Sequence, residues 1–181
     1  MQGTVAGTLT GVTPLSADDA RVHLELQRLA YLYCHAVDRC DLVLLRSLYH
    51  DDAIDDHGEM FCGSPDEYVA WLPRMLAGLE AIRHTISNMV FHLDGETAQG
   101  ELCSTAYHRV GGREIVIEGR YLDTYERRDG VWRILRRSLV MDAFSDRPVS
   151  EATGFGGIPR GVVGAGDPVY ALSLFAAARR S

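Results

Sequence analysis

The hydrophobic period of this chain changes near His84, and that change limits the folds open to it. Before it, Val22, Leu26, Leu29, Tyr33 and Val37 recur at spacings of three and four, which gives one apolar helix face. After it the period falls to two, and the pairs Asp94-Gly95, Gly111-Gly112 and Asp129-Gly130 separate runs long enough to be strands. Helices followed by an antiparallel meander give an α+β fold. The runs Glu114 to Arg127 and Val131 to Asp142 are long for globular strands, so the sheet should curve strongly and its concave side can enclose a ligand.

Local signals divide the chain further. Ser16 to Asp19 has the pattern of a capping box and starts a first helix, which the run Arg39-Cys40-Asp41 ends just after Asp38. A short second helix is expected from Leu42 to Tyr49. Ser64 with Pro65 opens a third, carried on by Tyr68, Trp71, Leu72, Met75, Leu76 and Leu79, in which Pro73 should introduce a kink or a shift. The acidic stretch from His50 to Gly58 reads as a strand entering a turn. Its Asp51, Asp52, Asp55, Asp56 and His57 lack the spacing of a calcium loop and read as a solvated face. Residues 1–15 are expected to be a flexible arm, 16–145 a single domain, and 146–181 a tail packed on that domain or on a partner subunit. Glycines and prolines make 143–166 irregular, and a last short helix is expected over 167–175.

With 181 residues there is enough chain for one core. The net charge of −7 leaves no basic footprint, so nucleic acid is not an expected partner. Four cysteines without a C-x-x-C pair point to reduced thiols and a cytoplasmic location. No stretch approaches the roughly 20 apolar residues of a membrane span, and no targeting segment is recognisable.

Candidate chemistry centres on a few residues. Asp38 ends an apolar helix, where the helix dipole disfavours a carboxylate, which marks it as a candidate base. His84 stands where helix gives way to sheet and carries the side chain best suited to proton transfer near neutrality. His108 shares a strand face with Leu102, Ser104 and Ala106, so it points into a cavity if that face is concave. Tyr33 and Tyr49 are placed to present hydroxyls near the first helix. The glycines of 154–166 do not follow a strand and open a helix, so they form no phosphate loop. Asp38, His84 and His108 have the composition of an iron-binding facial triad, but a metal-free acid–base set ranks ahead of it, and no cofactor or metal is expected.

Tyr33-Cys34-His35-Ala36-Val37-Asp38-Arg39-Cys40-Asp41, then Ile82-Arg83-His84-Thr85-Ile86-Ser87-Asn88, then the strand pair around Asp129-Gly130-Val131-Trp132 together resemble the SnoaL-like branch of the nuclear-transport-factor-2-like superfamily, over about residues 17–145. The resemblance implies a cone-shaped α+β barrel in which N-terminal helices pack on a curved, mainly antiparallel sheet around an apolar pocket. The superfamily includes scytalone dehydratase, bile acid dehydratase, a lindane dehydrochlorinase, ketosteroid isomerase and polyketide cyclases, and the dehydratase-like enzymes look most similar. By similarity, Asp38 falls on the family aspartate and His84 on the histidine that removes a proton. Tyr33 matches a tyrosine of the bile acid enzyme, and His108 a second pocket histidine of scytalone dehydratase. Ala106 and Met141 stand where the bile acid enzyme has a pocket aspartate and arginine. Gly119 and Tyr121 stand where scytalone dehydratase has a polar pair that orients its substrate.

The expected activity is that of a cofactor-free lyase or dehydratase acting on a small apolar cyclic ligand such as a steroid, polyketide or aromatic compound. Asp38 and His84 would be catalytic, and Tyr33, Tyr49, His108 and Tyr121 would bind the substrate. Isomerisation or cyclisation begins with the same proton abstraction. The rivals are a non-catalytic binding or scaffold domain and a ring-dioxygenase β subunit of the same fold. An open curved sheet leaves an apolar outer face, so a homo-dimer or homo-trimer is expected.

Overall fold

The computed structural model describes residues 14–149 and 157–172. Helix α1 spans Ala17–Asp38, α2 Leu42–Ser47 and α3 Pro65–Leu76, with strands β1 (Tyr49–Asp56) and β2 (Cys62–Gly63) between α2 and α3. Four long strands follow: β3 (Ala81–Asp94), β4 (Thr97–Val110), β5 (Arg113–Arg128) and β6 (Val131–Pro148). Both long helices start as the sequence indicates. Ser16 accepts from the Asp19 backbone N–H while the Asp19 carboxylate accepts from that of Ser16, and Ser64 and Glu67 repeat the exchange at α3. Gly63 leaves room for the second box, since a Cβ there would lie 2.7 Å from Glu67 Oε2. Helix α3 runs through Pro73 and ends at Leu76, short of Leu79.

The six strands lie in the order β2-β1-β6-β5-β4-β3, antiparallel throughout except for the parallel pair β1–β6. The expected meander is present; two of its hairpins turn at the expected pairs, and the first turns at Gly95-Glu96, because Asp94 still pairs with Thr97 at the end of β3. Gly111-Gly112 and Asp129-Gly130 both take positive φ at each central position, the geometry that matches strand twist. Register shifts interrupt β3 between Ile86 and Met89, and β5 against β6 at Glu118/Gly119 and at Thr124/Tyr125. Such bulges bend a sheet and increase its twist. At the first of the β5–β6 shifts the backbones approach so closely that a Cβ on Gly119 would lie 2.3 Å from the Val140 carbonyl oxygen. Helix α1 packs its buried face, including Leu26, Ala30, Tyr33 and Val37, onto a core to which the strands add Leu102, Tyr121, Tyr125 and Ile134.

The structure corrects four expectations. The cone is α+β, but its sheet does not close into a barrel, because β2 and β3 remain its two edges. Helix α2 stops at Ser47, and Tyr49 instead begins β1, opposite Ile134 of β6. The segment Ala143–Pro148 is not irregular. It continues β6 to the end of β5, and Arg113–Asp146 at 2.7 Å and Glu114–Arg147 at 2.9 Å join the strands there. The acidic face of β1 is only partly solvated, because Asp55 is fully buried. Within the tail, residues 168–171 form one 3-10 turn, and Asp167 lies 3.4 Å from Arg39. Most of the expected arm and the end of the expected last helix lie outside the described residues.

Candidate active site

Strand β3 is an edge strand, so alternate backbone N–H groups along it have no partner in the sheet. Helix α1 ends beside one of them. The Asp38 carboxylate accepts from the His84 backbone N–H at 3.0 and 3.1 Å through its two oxygens, and its Oδ1 lies 2.7 Å from His84 Nδ1. A carboxylate only accepts, so Nδ1 carries the hydrogen and Nε2 keeps a lone pair. One side chain thus satisfies an edge donor, fixes the ring orientation and sets the tautomer. Both side chains are about nine-tenths buried.

His84 opens onto a small cavity of about 60 Å³. Its walls come from α3 (Tyr68, Trp71, Met75), from β4 (Ser104, Ala106, His108), and from Ile117 and Tyr121 of β5 with Leu139 of β6. The concave face expected for Ser104, Ala106 and His108 is therefore the cavity face. The His84 and His108 rings meet edge to face with centroids 5.9 Å apart. Burial, with the neighbouring His84 adding to it and Asp38 partly offsetting it, lowers the pKa of His108 to about 4. At neutral pH His108 is an uncharged ring, and its buried Nε2 has no hydrogen-bond partner.

The four sequence-predicted tyrosine and histidine ligands do not all reach this space. Tyr121 and His108 line it, whereas Tyr33 and Tyr49 stand one layer behind. The reason is the length of α1 and the early start of β1, which carry both rings into the core. The Tyr33 hydroxyl meets that of Tyr68 at 2.9 Å, and the Tyr49 hydroxyl donates to Asp55. Burial raises the pKa of Tyr33, Tyr49, Tyr68 and Tyr121 well above the ordinary phenol value, so all four stay protonated. Behind them Arg137 is stacked between the rings of Tyr33 and Tyr121, its guanidinium carbon 4.0 and 4.2 Å from their centroids. It makes a bidentate pair with Asp123 at 2.8 and 2.6 Å, so its buried charge is compensated.

Sequence reasoning missed Asp55 and His57. Ala53, Asp55 and His57 share one side of β1 and its turn, and Ile54 on the other side is exposed. Asp55 Oδ1 lies 3.0 Å from His57 Nε2, and the His57 side chain is only 9% exposed. The His57 ring lines the same cavity as His84. Period two alone could have grouped these residues, but an apolar Ile54 beside a run of aspartates points the strand the wrong way round.

Asp38, His84 and His108 are near one another, but Asp38 is already committed to His84. Among the described residues no group of three or more His, Cys, Asp or Glu side chains converges to hold a metal ion. No helix among them is long and apolar enough to cross a membrane.

The sequence profile of the SnoaL-like domain matches residues 18–138. No curated protein matches the sequence. Among solved structures, a type 2 hexachlorocyclohexane dehydrochlorinase, LinA, is similar with a TM-score of 0.69 at 22% identity, over 78% of this chain and 98% of its own. A Novosphingobium aromaticivorans protein assigned as a scytalone dehydratase gives 0.66 at 22% identity, over 80% and 100%. A Nostoc punctiforme protein of unknown function with a cystatin-like fold gives 0.58 at 20% identity, over 72% and 96%. At these identities the likeness establishes the fold.

Proposed function

The chain belongs to the SnoaL-like domain family, and on that footing we propose that it is a lyase that removes water, or an equivalent leaving group, from a small apolar cyclic substrate. The observation that carries this reading is an imidazole of fixed tautomer, His84 on Asp38, opening onto a small, mostly apolar cavity. His84 Nε2 takes a proton from carbon beside an activating carbonyl or beside the carbon that bears the leaving group. Asp38 stabilises the imidazolium so formed and holds the ring in place. Tyr121 and the neutral His108 line the space where an oxyanion would develop, while Tyr33 and Tyr49 act through Tyr68 and Asp55 rather than on substrate. Two of the similar structures carry the names of eliminating enzymes, a dehydrochlorinase and a dehydratase, which supports an elimination. The size of the cavity favours one ring over a steroid nucleus, because about 60 Å³ holds only a handful of water-sized groups. The free cysteines Cys34, Cys40, Cys62 and Cys103 suit a reducing, cytoplasmic setting.

The test is turnover of β-hydroxylated and β-halogenated cyclic ketones by the wild type, His84→Gln and Asp38→Asn. The expected result is enone formation by the wild type and a loss of about 10²- to 10⁴-fold in kcat/KM for each variant. Tight binding of cyclic ketones without turnover would favour the binding-domain alternative.

A further inference from the structure

The elimination proposed above uses His84 as its base, with His108 a neutral wall beside it, yet a third imidazole, His57, lines the cavity. His57 sits on the turn after β1, and β1 and β3 lie toward opposite ends of the strand order. The curvature of the sheet therefore brings His57 and His84 into one space from different walls. His57 is held from both its backbone and its ring. Its backbone N–H donates to the Phe61 carbonyl at 2.7 Å, and Asp56 accepts from the Gly58 N–H at 3.0 Å in the same turn. Its ring packs beside those of Tyr68 and Tyr121, with centroids 5.5 and 6.2 Å away. Asp55 stands behind it with one oxygen 3.0 Å from Nε2 and the other taking the Tyr49 hydroxyl. Neither Asp55 Oδ1 nor His57 Nε2 makes a hydrogen bond of ordinary geometry, so their contact is an ion pair, formed when the ring is protonated. A carboxylate with no exposed surface is costly to desolvate; this one takes the Tyr49 hydroxyl on one oxygen, and an imidazolium at His57 is what offsets the charge on the other.

Building on the elimination reading, we propose that His57, held by Asp55, is the general acid of the site, and that the leaving group it serves is a hydroxyl on a single-ring substrate. In the step, His84 Nε2 takes the hydrogen from the carbon next to the hydroxyl-bearing carbon. The C–H electron pair becomes the new π bond, the C–O bond breaks with its pair, and the proton of the His57 imidazolium goes to the departing oxygen as water forms. His84 is left protonated and His57 neutral. One proton given to water by His84 and one taken up by His57 restore the starting state. A halide departs as a stable anion and needs no such proton, so an acid on the second wall distinguishes dehydration from dehydrohalogenation.

Two substrates that yield the same enone separate these cases: 3-hydroxycyclohexanone and 3-chlorocyclohexanone. The quantity read is the ratio of their kcat/KM values in the wild type, His57→Gln and Asp55→Asn, each checked for the wild-type Tm. The expected result is a fall in the hydroxyl-to-chloride ratio of about 10²- to 10⁴-fold in His57→Gln and a smaller fall in the same direction in Asp55→Asn. His84→Gln should lower both substrates together. An unchanged ratio in His57→Gln overturns the assignment while leaving the elimination intact. If the wild type converts neither ketone, the elimination itself falls. His57 is then decided by its ring NMR signals with phenol and benzene as probes, which need no variant. A shift with phenol alone supports His57 as the partner of a ligand hydroxyl, and no shift, or equal shifts, overturns it.

Discussion

His108 is uncharged in the fold at pH values where an imidazole in water takes up a proton. Its pKa falls from 6.5 to about 4 through burial and the nearby His84. Between those values the unfolded chain binds more protons than the fold, so this group removes stability as pH falls from about 6.5 toward 4 and has no such effect above 6.5. Urea midpoints measured across that window should therefore drop less steeply in His108→Gln than in the wild type, and equal slopes would refute the assignment. At this scale the sequence was legible where a residue type is unusual for its place. Asp38 at a helix end, His84 at the change of period and His108 on a cavity face all read correctly as to position. Asp55 with His57, and Arg137 with Asp123, were not legible. Arg137 with Asp123 depends on two strands meeting, whereas Asp55 and His57 are two residues apart and were hidden by the apolar Ile54 beside them, which points the strand the wrong way round.

Elements were legible wherever backbone chemistry is local. Two capping boxes and three Gly-containing turns mark helix starts and hairpins through hydrogen bonds spanning a few residues. The end of α2 and the full reach of β6 were not, because each is decided by a partner strand rather than by its own sequence. The bulge at Gly119 belongs with them. Nothing nearby in sequence signals the Val140 carbonyl that excludes a Cβ there. Gly119→Ala forces β5 and β6 apart where Ile117, Tyr121 and Leu139 face the cavity. The expected cost is about 1–3 kcal/mol by urea unfolding, with loss of turnover in the surviving folded fraction. A wild-type midpoint would show that the strands separate without penalty.

For the whole molecule, the order of helices and strands was enough to indicate an α+β cone, but strand order and openness of the sheet were not readable from periodicity. The face of the sheet turned from the helices exposes Val90 and Leu122, half or nearly half uncovered, beside Gln99 and Ser138. We propose that copies of this chain meet there. Sedimentation equilibrium should give a multiple of the 20.0 kDa chain mass, with Leu122→Asp shifting the population to monomer. A wild-type monomer at micromolar concentration would refute this. The place of β6 between β5 and β1 has a further consequence, in time rather than in space. A growing chain makes β1 early, but β1 has no long partner until the last strand of the sheet has left the ribosome. Asp38, His84 and His108 rest on α1, β3 and β4 and can assemble while synthesis continues, whereas His57 must wait for the final strand to bring in β1. A chain interrupted partway would hold a proton acceptor without the His57 imidazole, so the order of synthesis is also the order in which the site is completed.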